Sequence, residues 1–322
     1  MFMASIPSDL PTAFCFSGQG SQYFHMAAGM MQSQPVFRQW MEIGDAIVHR
    51  AEGFSPLAII YDKARGKHEA FDQLEHSHPA LFMVQFALAK QVQALGLRPD
   101  LLLGMSLGEF VAMSVAGMIP FETALLVIAR QPRVFDSTVA PGALIALLAS
   151  PAEIAAVPGI EKIAEIVGVN GARHCVLACL EAARADVTAA LDRAKIAHQR
   201  LPVPFAFHSR WIEGAKDRYL ASVADLRLET PFWPAWSSRL AAPVHRADPA
   251  HLWQIVRGPM RLRETVAAIE AQGGAHYIDL SPTGTIAAIL GQDATKGPSR
   301  RTALLSPFGK DSARLDSLMA LT

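Results

Sequence analysis

The sequence predicts an α/β protein built on a parallel sheet. Two short apolar runs, AFCFSG at 13–18 and LLLG at 101–104, each end in glycine and lead into segments with helical patterns. Strand, tight turn and helix in repeated order are typical of parallel sheets. With 322 residues, 51% of them hydrophobic, the chain can form one large core or a main domain with a smaller one beside it.

The elements of the main domain follow in chain order. The first strand ends at the glycine turn of GQGSQ. Segment 79–95, PALFMVQFALAKQVQAL, predicts a helix with a broad apolar face, and GLRPD ends it before the second strand, LLLG. Helices are predicted at 107–118 and 121–135, and HYIDLSP at 276–282 predicts a late strand.

The middle of the chain, from about residue 140, has a different pattern. Short apolar runs and two helical segments occur in the order strand, helix, strand, strand, helix, strand. The six segments are ALIALLA, PAEIAAV, IAEIVGVNG, HCVLACL, EAARADVTAALDRAK and HQRLPV. This order is that of a ferredoxin-like unit. We therefore expect a ferredoxin-like subdomain inserted into the main α/β domain.

Composition and charge exclude several classes of partner. The chain has 29 basic and 29 acidic residues, so no overall field attracts nucleic acid or an anionic membrane, and we expect neither as a partner. No apolar run reaches the roughly 18 to 20 residues that span a bilayer, and the N-terminus lacks the pattern of a signal peptide. Three cysteines, Cys15, Cys175 and Cys179, are too few for a disulfide framework, so we expect a cytoplasmic protein.

The segment GMSLG at 104–108 has the G-x-S-x-G pattern of a nucleophile elbow. A nucleophilic serine must project from a sharp turn between strand and helix, and glycines at its flanks let the backbone pack closely. The helix that follows directs its free N–H groups at developing negative charge. Ser106 is therefore a candidate nucleophile. The alternative is a small residue that fills a tight turn.

Two further motifs could complete such a site. His208, in PFAFHSRW, is a candidate base, and the alternative is a histidine satisfied in the core or in a turn. The loop FSGQGSQ at 16–22 lacks the G-x-G-x-x-G and P-loop lysine of phosphate sites. The backbone N–H of Gln19 could instead form part of an oxyanion hole. His76 and His78 have no acidic or cysteine partner at ligand spacing, so we expect no metal site.

Four motifs in order resemble a known family: FCFSGQGSQY, GMSLGEF, FAFHS and IDLSPTGTIAAIL. They are similar to those of the acyltransferases that load carrier proteins, namely malonyl-CoA:acyl-carrier-protein transacylases and the acyltransferase domains of polyketide synthases. The segment SHPALFMVQFAL resembles a helix of that family. The resemblance covers nearly the whole chain. It implies an α/β-hydrolase-like catalytic domain at 1–138 and 206–322 and a ferredoxin-like subdomain at 139–205.

The resemblance also implies roles for individual residues. Ser106 would be the acyl-enzyme nucleophile and His208 the general base, with the backbone N–H groups of Gln19 and Leu107 forming the oxyanion hole. In this family a backbone carbonyl orients the histidine, and Gln272 in the AQGG turn stands where it is expected. No cofactor would be bound, because the acyl group arrives as a thioester on the phosphopantetheine arm of CoA or of an acyl carrier protein.

Docking an acidic carrier protein would require a local basic surface, because the chain as a whole is neutral. Six arginines are candidates for such a surface, and the alternative is that they are scattered, solvated arginines. They are Arg130, Arg133, Arg210, Arg257, Arg261 and Arg263.

The sequence departs from this family in the expected substrate pocket, formed by Met105, Gln131 and Phe207. Malonyl-specific relatives carry an arginine about 25 residues after the serine, which binds the free carboxylate, and that position here is Gln131. Arg130 is one residue earlier, about 100° away on a helix, and should point away from the pocket. Met105 stands where the family has histidine. Both changes disfavour a carboxylate.

Several functions remain open at this point. The missing arginine favours the branch of acyl hydrolases that remove stalled acyl groups from carrier proteins of trans-acyltransferase polyketide synthases. The alternative is a malonyl transferase, if a one-residue shift places Arg130 in the pocket. An ordinary α/β-hydrolase would use His251 or His276 as its base. A non-catalytic docking homologue has no need of an intact Ser106 and His208.

Overall fold

A computed structural model describes residues 10–292 and 298–320, and its strands form two sheets. The predicted limits at residues 1 and 322 lie outside the described part of the chain. The strands are β1 Thr12–Phe16, β2 Leu101–Gly104, β3 Gly142–Leu147, β4 Glu165–Gly171, β5 His174–Leu180, β6 His198–Arg200, β7 Ala235–Ser237, β8 Ala242–Val244, β9 His276–Asp279 and β10 Arg300–Ala303.

Helices surround both sheets. They are α1 Ala28–Ser33, α2 Pro35–Glu52, α3 Pro56–Ile60, α4 Leu74–Ala94, α5 Leu107–Val115, α6 Phe121–Asp136, α7 Pro151–Ala155, α8 Ile160–Ile163, α9 Arg184–Arg193, α10 Lys216–Val223, α11 Pro249–Arg257, α12 Leu262–Glu270, α13 Thr285–Gln292 and α14 Asp311–Met319. In the described part of the chain, no helix is long and apolar enough to cross a membrane.

The larger sheet has the order β10-β9-β1-β2-β7-β8. Its strands pair in parallel except at the edge, where β8 is antiparallel to β7. Phe16 at the end of β1 pairs with Gly104 at the end of β2. Parallel pairing therefore brings the GQGSQ loop and the segment around Ser106 to the same edge of the sheet, where ligands of open α/β sheets bind.

The smaller sheet has the order β4-β5-β3-β6, with all neighbours antiparallel. Numbered within the unit, this is the 2-3-1-4 arrangement of a ferredoxin-like fold. Side chains alternate along β3, because successive residues of a strand face opposite sides. Ala143, Ile145 and Leu147 pack in a separate core with α7, α8 and α9, whereas Leu144 and Ala146 face the main domain. The predicted fold class is confirmed, and the subdomain limits at 139 and 205 stay predictions.

Proline explains two differences between expected and observed elements. The sequence predicts a start at Pro79, but helix α4 begins at Leu74 and continues through that proline, because a proline near the N-terminus of a helix loses only one backbone hydrogen bond. The last strand of the subdomain was expected over HQRLPV but ends at Arg200. Pro202 follows two residues later and has no N–H to donate to a neighbouring strand.

The two units are joined beside the cleft. The backbone N–H of Val169 donates to the carbonyl of Met260 at 2.9 Å, and the N–H of Met260 donates to the carbonyl of Val167 at 2.8 Å. Strand β4 thereby gains a short parallel partner from the loop between α11 and α12. This contact fixes the subdomain against the main domain.

Candidate active site

Ser106 lies at the turn between β2 and α5, and its backbone has a conformation that residues with a side chain rarely adopt. Its φ is 55° and its ψ is −122°. Strain of this kind costs on the order of 1 to 3 kcal/mol and persists where the surrounding structure imposes it. The hydroxyl does not cap α5. Instead, Ser106 Oγ lies 2.8 Å from Nε2 of His208, which is the contact expected of a nucleophile and its base.

Three glycines make room for this turn. A Cβ on Gly108 would lie 2.0 Å from the carbonyl oxygen of Phe16, and one on Gly104 would lie 2.4 Å from Cα of Glu109. A Cβ on Gly18 would lie 2.8 Å from Cβ of Ser106. The glycines of both sequence motifs are therefore required by close backbone packing around the serine.

His208 is fixed by backbone groups on two sides. Its backbone N–H donates to the carbonyl of Val256 at 2.9 Å. Nδ1 of its ring lies 2.9 Å from the carbonyl oxygen of Gly258. A carbonyl can only accept, so Nδ1 carries the proton and Nε2 presents a lone pair to Ser106. The acceptor follows the last residue of α11.

The expectation that Gln272 supplies this carbonyl is wrong. Gln272 lies in an exposed turn after α12, where its N–H donates to the carbonyl of Ile269. The backbone carbonyl that contacts Nδ1 of His208 belongs to Gly258. The role predicted for a backbone carbonyl is present, but a different segment provides it.

Burial makes His208 a weak base that is neutral at physiological pH. The side chain is 3% exposed. Desolvation lowers its pKa to about 4, although the Gly258 carbonyl opposes this shift. The imidazole is therefore unprotonated near pH 7, which is the form that accepts a proton.

The positions predicted for the oxyanion hole lie beside the serine. Leu107 is the first residue of α5, and Gln19 lies in the loop after β1. Among the described residues, no acceptor pairs with the backbone N–H of either residue. Both residues line the same cavity as Ser106.

This cavity lies between the main domain and the smaller sheet and encloses about 900 Å³ of empty space, including the part open to solvent. The predicted pocket residues Met105, Gln131 and Phe207 all line it. Among the described residues, the side chains that line it include no Arg, Lys, Asp or Glu. The remaining lining side chains include Phe110, Leu144, Val176, Val203, Ile255 and Ile289.

Gln131 and Arg130 point in different directions from α6. Gln131 is 6% exposed, and its Nε2 donates to the Tyr219 hydroxyl oxygen at 3.4 Å. Arg130 Nε lies 2.7 Å from Oε1 of Glu52 at the end of α2, and Arg133 bonds the second oxygen of the same carboxylate at 2.8 Å. Both arginines are thus held away from the cavity.

The other candidate surface arginines are also paired. Arg210 lies 3.4 Å from Glu165, Arg257 lies 2.7 Å from Glu213, and Arg261 pairs with Glu264. Arg263 borders a separate surface cleft with Arg300 and Arg301. Most of the positive charge proposed for docking is therefore partly neutralised within the chain.

Two positions at the site were missed in the sequence analysis. Gly258 acts through its carbonyl, which has no side-chain signature. His78, considered there only as a metal ligand, is 2% exposed and lines the cavity. Within residues 10–292 and 298–320, no group of three or more His, Cys, Asp or Glu residues could hold a metal ion.

Comparisons with known proteins agree with this fold. The family described as "Acyl transferase domain" matches residues 13–318. The polyketide biosynthesis acyltransferase homolog BaeD of Bacillus velezensis is 34% identical over 310 residues, which cover 96% of this chain and 95% of that protein. The acyltransferase domain from the second module of the salinomycin polyketide synthase has a TM-score of 0.85 at 27% identity, covering 97% of this chain and 73% of that one.

A solved malonyl-transacylase in complex with a type II polyketide synthase acyl-carrier protein shares the fold. Its TM-score is 0.84 at 21% identity, and the match covers 97% of this chain and 100% of that one.

Proposed function

The chain belongs to the acyl transferase domain family, and we propose that it hydrolyses uncharged acyl groups from phosphopantetheine thioesters on carrier proteins. The observation that carries this proposal is the cavity around Ser106, whose described lining has no Arg, Lys, Asp or Glu, with Gln131 inside it and Arg130 held by Glu52. The predicted role is removal of stalled acyl groups in trans-acyltransferase polyketide biosynthesis.

The first half-reaction forms an acyl-enzyme. His208 Nε2 accepts the proton of Ser106 Oγ as the oxygen attacks the thioester carbonyl carbon, so a C–O bond forms. The carbonyl oxygen becomes an oxyanion that accepts hydrogen bonds from the backbone N–H groups of Gln19 and Leu107. The C–S bond then breaks, and the pantetheine thiolate takes the proton from His208 as it leaves.

The second half-reaction releases the acyl group as a free acid. His208 accepts a proton from a water molecule, whose oxygen attacks the ester carbonyl of acyl-Ser106. The tetrahedral intermediate collapses, the bond to Ser106 Oγ breaks, and His208 returns the proton to the serine oxygen. A thiol of a second carrier protein could attack the same ester, which would make the chain a transferase.

The preference for uncharged acyl groups follows from the cost of burying a charge. A malonyl carboxylate in this cavity would lose its hydration without gaining a cationic partner, at a cost of several kcal/mol. Gln131 cannot replace an arginine, because a neutral amide lacks both the charge and the bidentate geometry. Its Nε2 is also directed at Tyr219.

Loading of malonyl units is the alternative function, and the family relationship favours it in general terms. It would require Arg130 to turn from Glu52 into the cavity, which means breaking an ion pair 2.7 Å long and rotating around the helix. A non-catalytic docking role is opposed by the 2.8 Å contact between Ser106 and His208. In each case an acyl carrier protein is the proposed partner.

A turnover panel tests the proposal. Malonyl-, acetyl- and butyryl-carrier proteins are incubated with the enzyme, and the free acid and the acyl group transferred to a second carrier protein are measured separately. We expect free acid from acetyl and butyryl and little reaction with malonyl. Efficient transfer of malonyl to the second carrier protein would contradict hydrolysis as the function.

The substitution Gln131→Arg tests the basis of this selectivity. A guanidinium at this position would face the cavity and should raise malonyl turnover relative to acetyl by about tenfold or more, because it pairs with the buried carboxylate. Arg130→Gln is the matched control and should leave the ratio as in the wild type. Loss of malonyl turnover in Arg130→Gln would identify Arg130 as the carboxylate-binding residue instead.

A further inference from the structure

A second groove opens beside the cavity around Ser106, between helices α6 and α10. It encloses about 830 Å³ of empty space, including the part open to solvent. Apolar side chains from both helices and from the segment after α10 line this α6–α10 groove. They are Leu126, Val127, Val134, Val223 and Leu226. No step of the proposed mechanism uses this space.

One side chain borders both spaces. Among the described residues, Gln131 is the only one that lines the cavity around Ser106 and also the α6–α10 groove. It is 6% exposed, so it is buried between them. Val127 lies one helical turn earlier on α6 and lines the groove but not the cavity. Gln131 therefore forms the partition at the point where the two spaces approach each other.

Tyr219 holds this partition from the side of the groove. It lines the groove and not the cavity, and its hydroxyl oxygen accepts a hydrogen bond from Nε2 of Gln131 at 3.4 Å, which is long for such a bond. The ring is 1% exposed, with its centroid 5.5 Å from that of Trp253 and 6.2 Å from that of Phe135. The ring is thus fixed by packing, and displacing Gln131 would leave a buried amide and a buried hydroxyl unpaired.

We propose that the Gln131 side chain, held by Tyr219, closes the cavity toward the α6–α10 groove and thereby limits the length of the acyl chain that Ser106 accepts. This inference rests on the proposed function, because it defines which acyl groups enter the reaction. Short chains fit within the cavity. A longer chain would have to displace the buried amide, and its additional CH₂ groups would not reach the apolar side chains of the groove.

A comparison of two chain lengths tests the limit. The probes are butyryl- and octanoyl-pantetheine thioesters; acyl-Ser106 is followed by mass spectrometry, and kcat/KM for thiol release is measured. In the wild type we expect octanoyl to react about tenfold or more slowly than butyryl. Gln131→Ala should raise the octanoyl-to-butyryl ratio by about tenfold or more, because the longer chain can then bury its CH₂ groups in the groove. An unchanged ratio in Gln131→Ala would overturn the proposal.

A second substitution tests whether the longer chain enters the groove. Val127→Phe places a ring in the groove, on the same face of α6 as Gln131 and four residues before it. In the double variant Gln131→Ala/Val127→Phe, the ratio should return close to the wild-type value. Val127→Phe alone should keep the wild-type ratio and the wild-type turnover of butyryl. A ratio that stays high in the double variant would overturn the assignment of the groove.

Ile289→Ala is the control for cavity size. Ile289 is 3% exposed and lines the cavity but not the groove, so this substitution enlarges the cavity without opening the partition. It should raise the octanoyl-to-butyryl ratio much less than Gln131→Ala does. An equal rise would show that volume alone sets the limit, against the proposal.

Tyr219→Phe removes the hydroxyl and keeps the ring. The ratio should rise by a smaller factor than in Gln131→Ala, because the bond is long and the Gln131 side chain still fills the partition. Tyr61→Phe is the matched control, since the Tyr61 hydroxyl donates to the Met26 carbonyl at 3.2 Å and Tyr61 lines neither space. If Gln131→Ala fails to fold, this pair still decides: equal ratios in Tyr219→Phe and Tyr61→Phe would overturn the role of Tyr219.

The proposed function is tested by a different readout, the fate of the acyl group. Transfer of the acyl group to a second carrier protein, with no free acid, would overturn hydrolysis while leaving the chain-length ratio in the formation of acyl-Ser106 measurable. Free acid with a ratio that Gln131→Ala does not change would overturn only the role of the partition.

Discussion

At the scale of single residues, the reactivity that we propose for Ser106 depends on three backbone features around it. The positive φ of the serine directs Oγ at His208, and the Gly258 carbonyl fixes the imidazole tautomer. Among the described residues, the Leu107 N–H at the start of α5 has no acceptor. None of these features needs an acidic side chain. A neutral carbonyl as the orienting group also leaves the site without a buried carboxylate, whose burial would be costly.

The pH dependence of activity should reflect the burial of His208. Its pKa is lowered to about 4, so the basic form already predominates well below neutral pH. We expect kcat/KM for acetyl release to stay level between about pH 6 and pH 8 and to fall as the pH drops toward 4. Circular dichroism at each pH separates protonation from unfolding. An apparent pKa at or above the ordinary 6.5 would contradict this.

The sequence predicted these residues unequally. Ser106 and His208 stand in motifs with side chains that carry chemistry, and Gln131 could be located by counting from the serine. Gly258 could not be predicted in the same way, because every residue has a backbone carbonyl and only the folded structure decides which one reaches Nδ1.

At the scale of elements, the site depends on how closely α5 approaches β1. Helix α5 starts at Leu107, after a turn of only two residues from β2, and the carbonyl of Phe16 on β1 lies in the space that a side chain at position 108 would occupy. The N–H of Met105 donates to the same carbonyl at 3.0 Å. A hydrogen bond therefore joins the elbow to the neighbouring strand, and the lack of a side chain at position 108 allows this close approach.

Gly108→Ala should disrupt this contact. Alanine normally stabilises a helix relative to glycine by up to about 1 kcal/mol, but here Cβ would lie 2.0 Å from the Phe16 oxygen. We expect a clear loss of thermal stability and loss of Ser106 acylation, measured by thermal unfolding and mass spectrometry.

Gly44→Ala on α2 is the control for this substitution, because its Cβ would meet only the flexible side chain of Met83, at 2.9 Å. Gly44→Ala should lower thermal stability and Ser106 acylation less than Gly108→Ala does. Equal effects of both substitutions would show that close packing against β1 is not what requires a glycine at position 108.

The order of elements was predictable wherever local patterns were strong. The ferredoxin-like unit was predicted from six segments in the order strand, helix, strand, strand, helix, strand. The strands of its sheet occur along the chain in that predicted order. Element ends were less predictable, as Pro79 inside α4 and the short β6 show. Where a proline lies near the end of an element, the end depends on whether its missing N–H would have been needed as a donor within the helix or to a neighbouring strand.

At the scale of the whole molecule, the cavity lies where the main domain meets one face of the small sheet, and a second core lies on the opposite face of that sheet. One core surrounds the parallel sheet and the other lies behind the small antiparallel sheet. The strand order β10-β9-β1-β2-β7-β8 could not be predicted from the sequence, because two of its pairings, β1 with β9 and β2 with β7, join strands more than a hundred residues apart. The cavity is a consequence of that long-range assembly, with one wall from each unit.

The stability of the whole fold should depend on pH through a carboxyl behind the elbow. Glu109 on α5 is 3% exposed, and its Oε1 accepts hydrogen bonds from Ser238 Oγ at 2.8 Å and from the Arg239 N–H at 3.0 Å. Its second oxygen is buried without a partner. Burial raises its pKa to about 7, although Ser237, Ser238 and Arg239 oppose the shift.

Because the pKa of Glu109 is higher in the folded chain than the ordinary 4.5, its contribution to stability is complete below about pH 4.5. It is lost as the pH rises through 7, on the order of 3 kcal/mol in all. The buried histidines His78 and His208 act in the opposite direction, since their lowered pKa values make stability fall as the pH drops below 6.5. The pH profile of the wild-type protein therefore combines opposing effects.

Glu109→Gln separates these effects. We expect the free energy of unfolding of the wild type, relative to the variant, to decrease between pH 4.5 and pH 7, because only the wild type must keep a proton on position 109. Urea unfolding at several pH values measures this difference. Glu122→Gln, which removes an exposed carboxylate on α6, should leave the wild-type pH profile nearly unchanged. Parallel profiles for the wild type and Glu109→Gln would show that Glu109 titrates alike in the folded and unfolded chain, and that the buried elbow does not hold its proton.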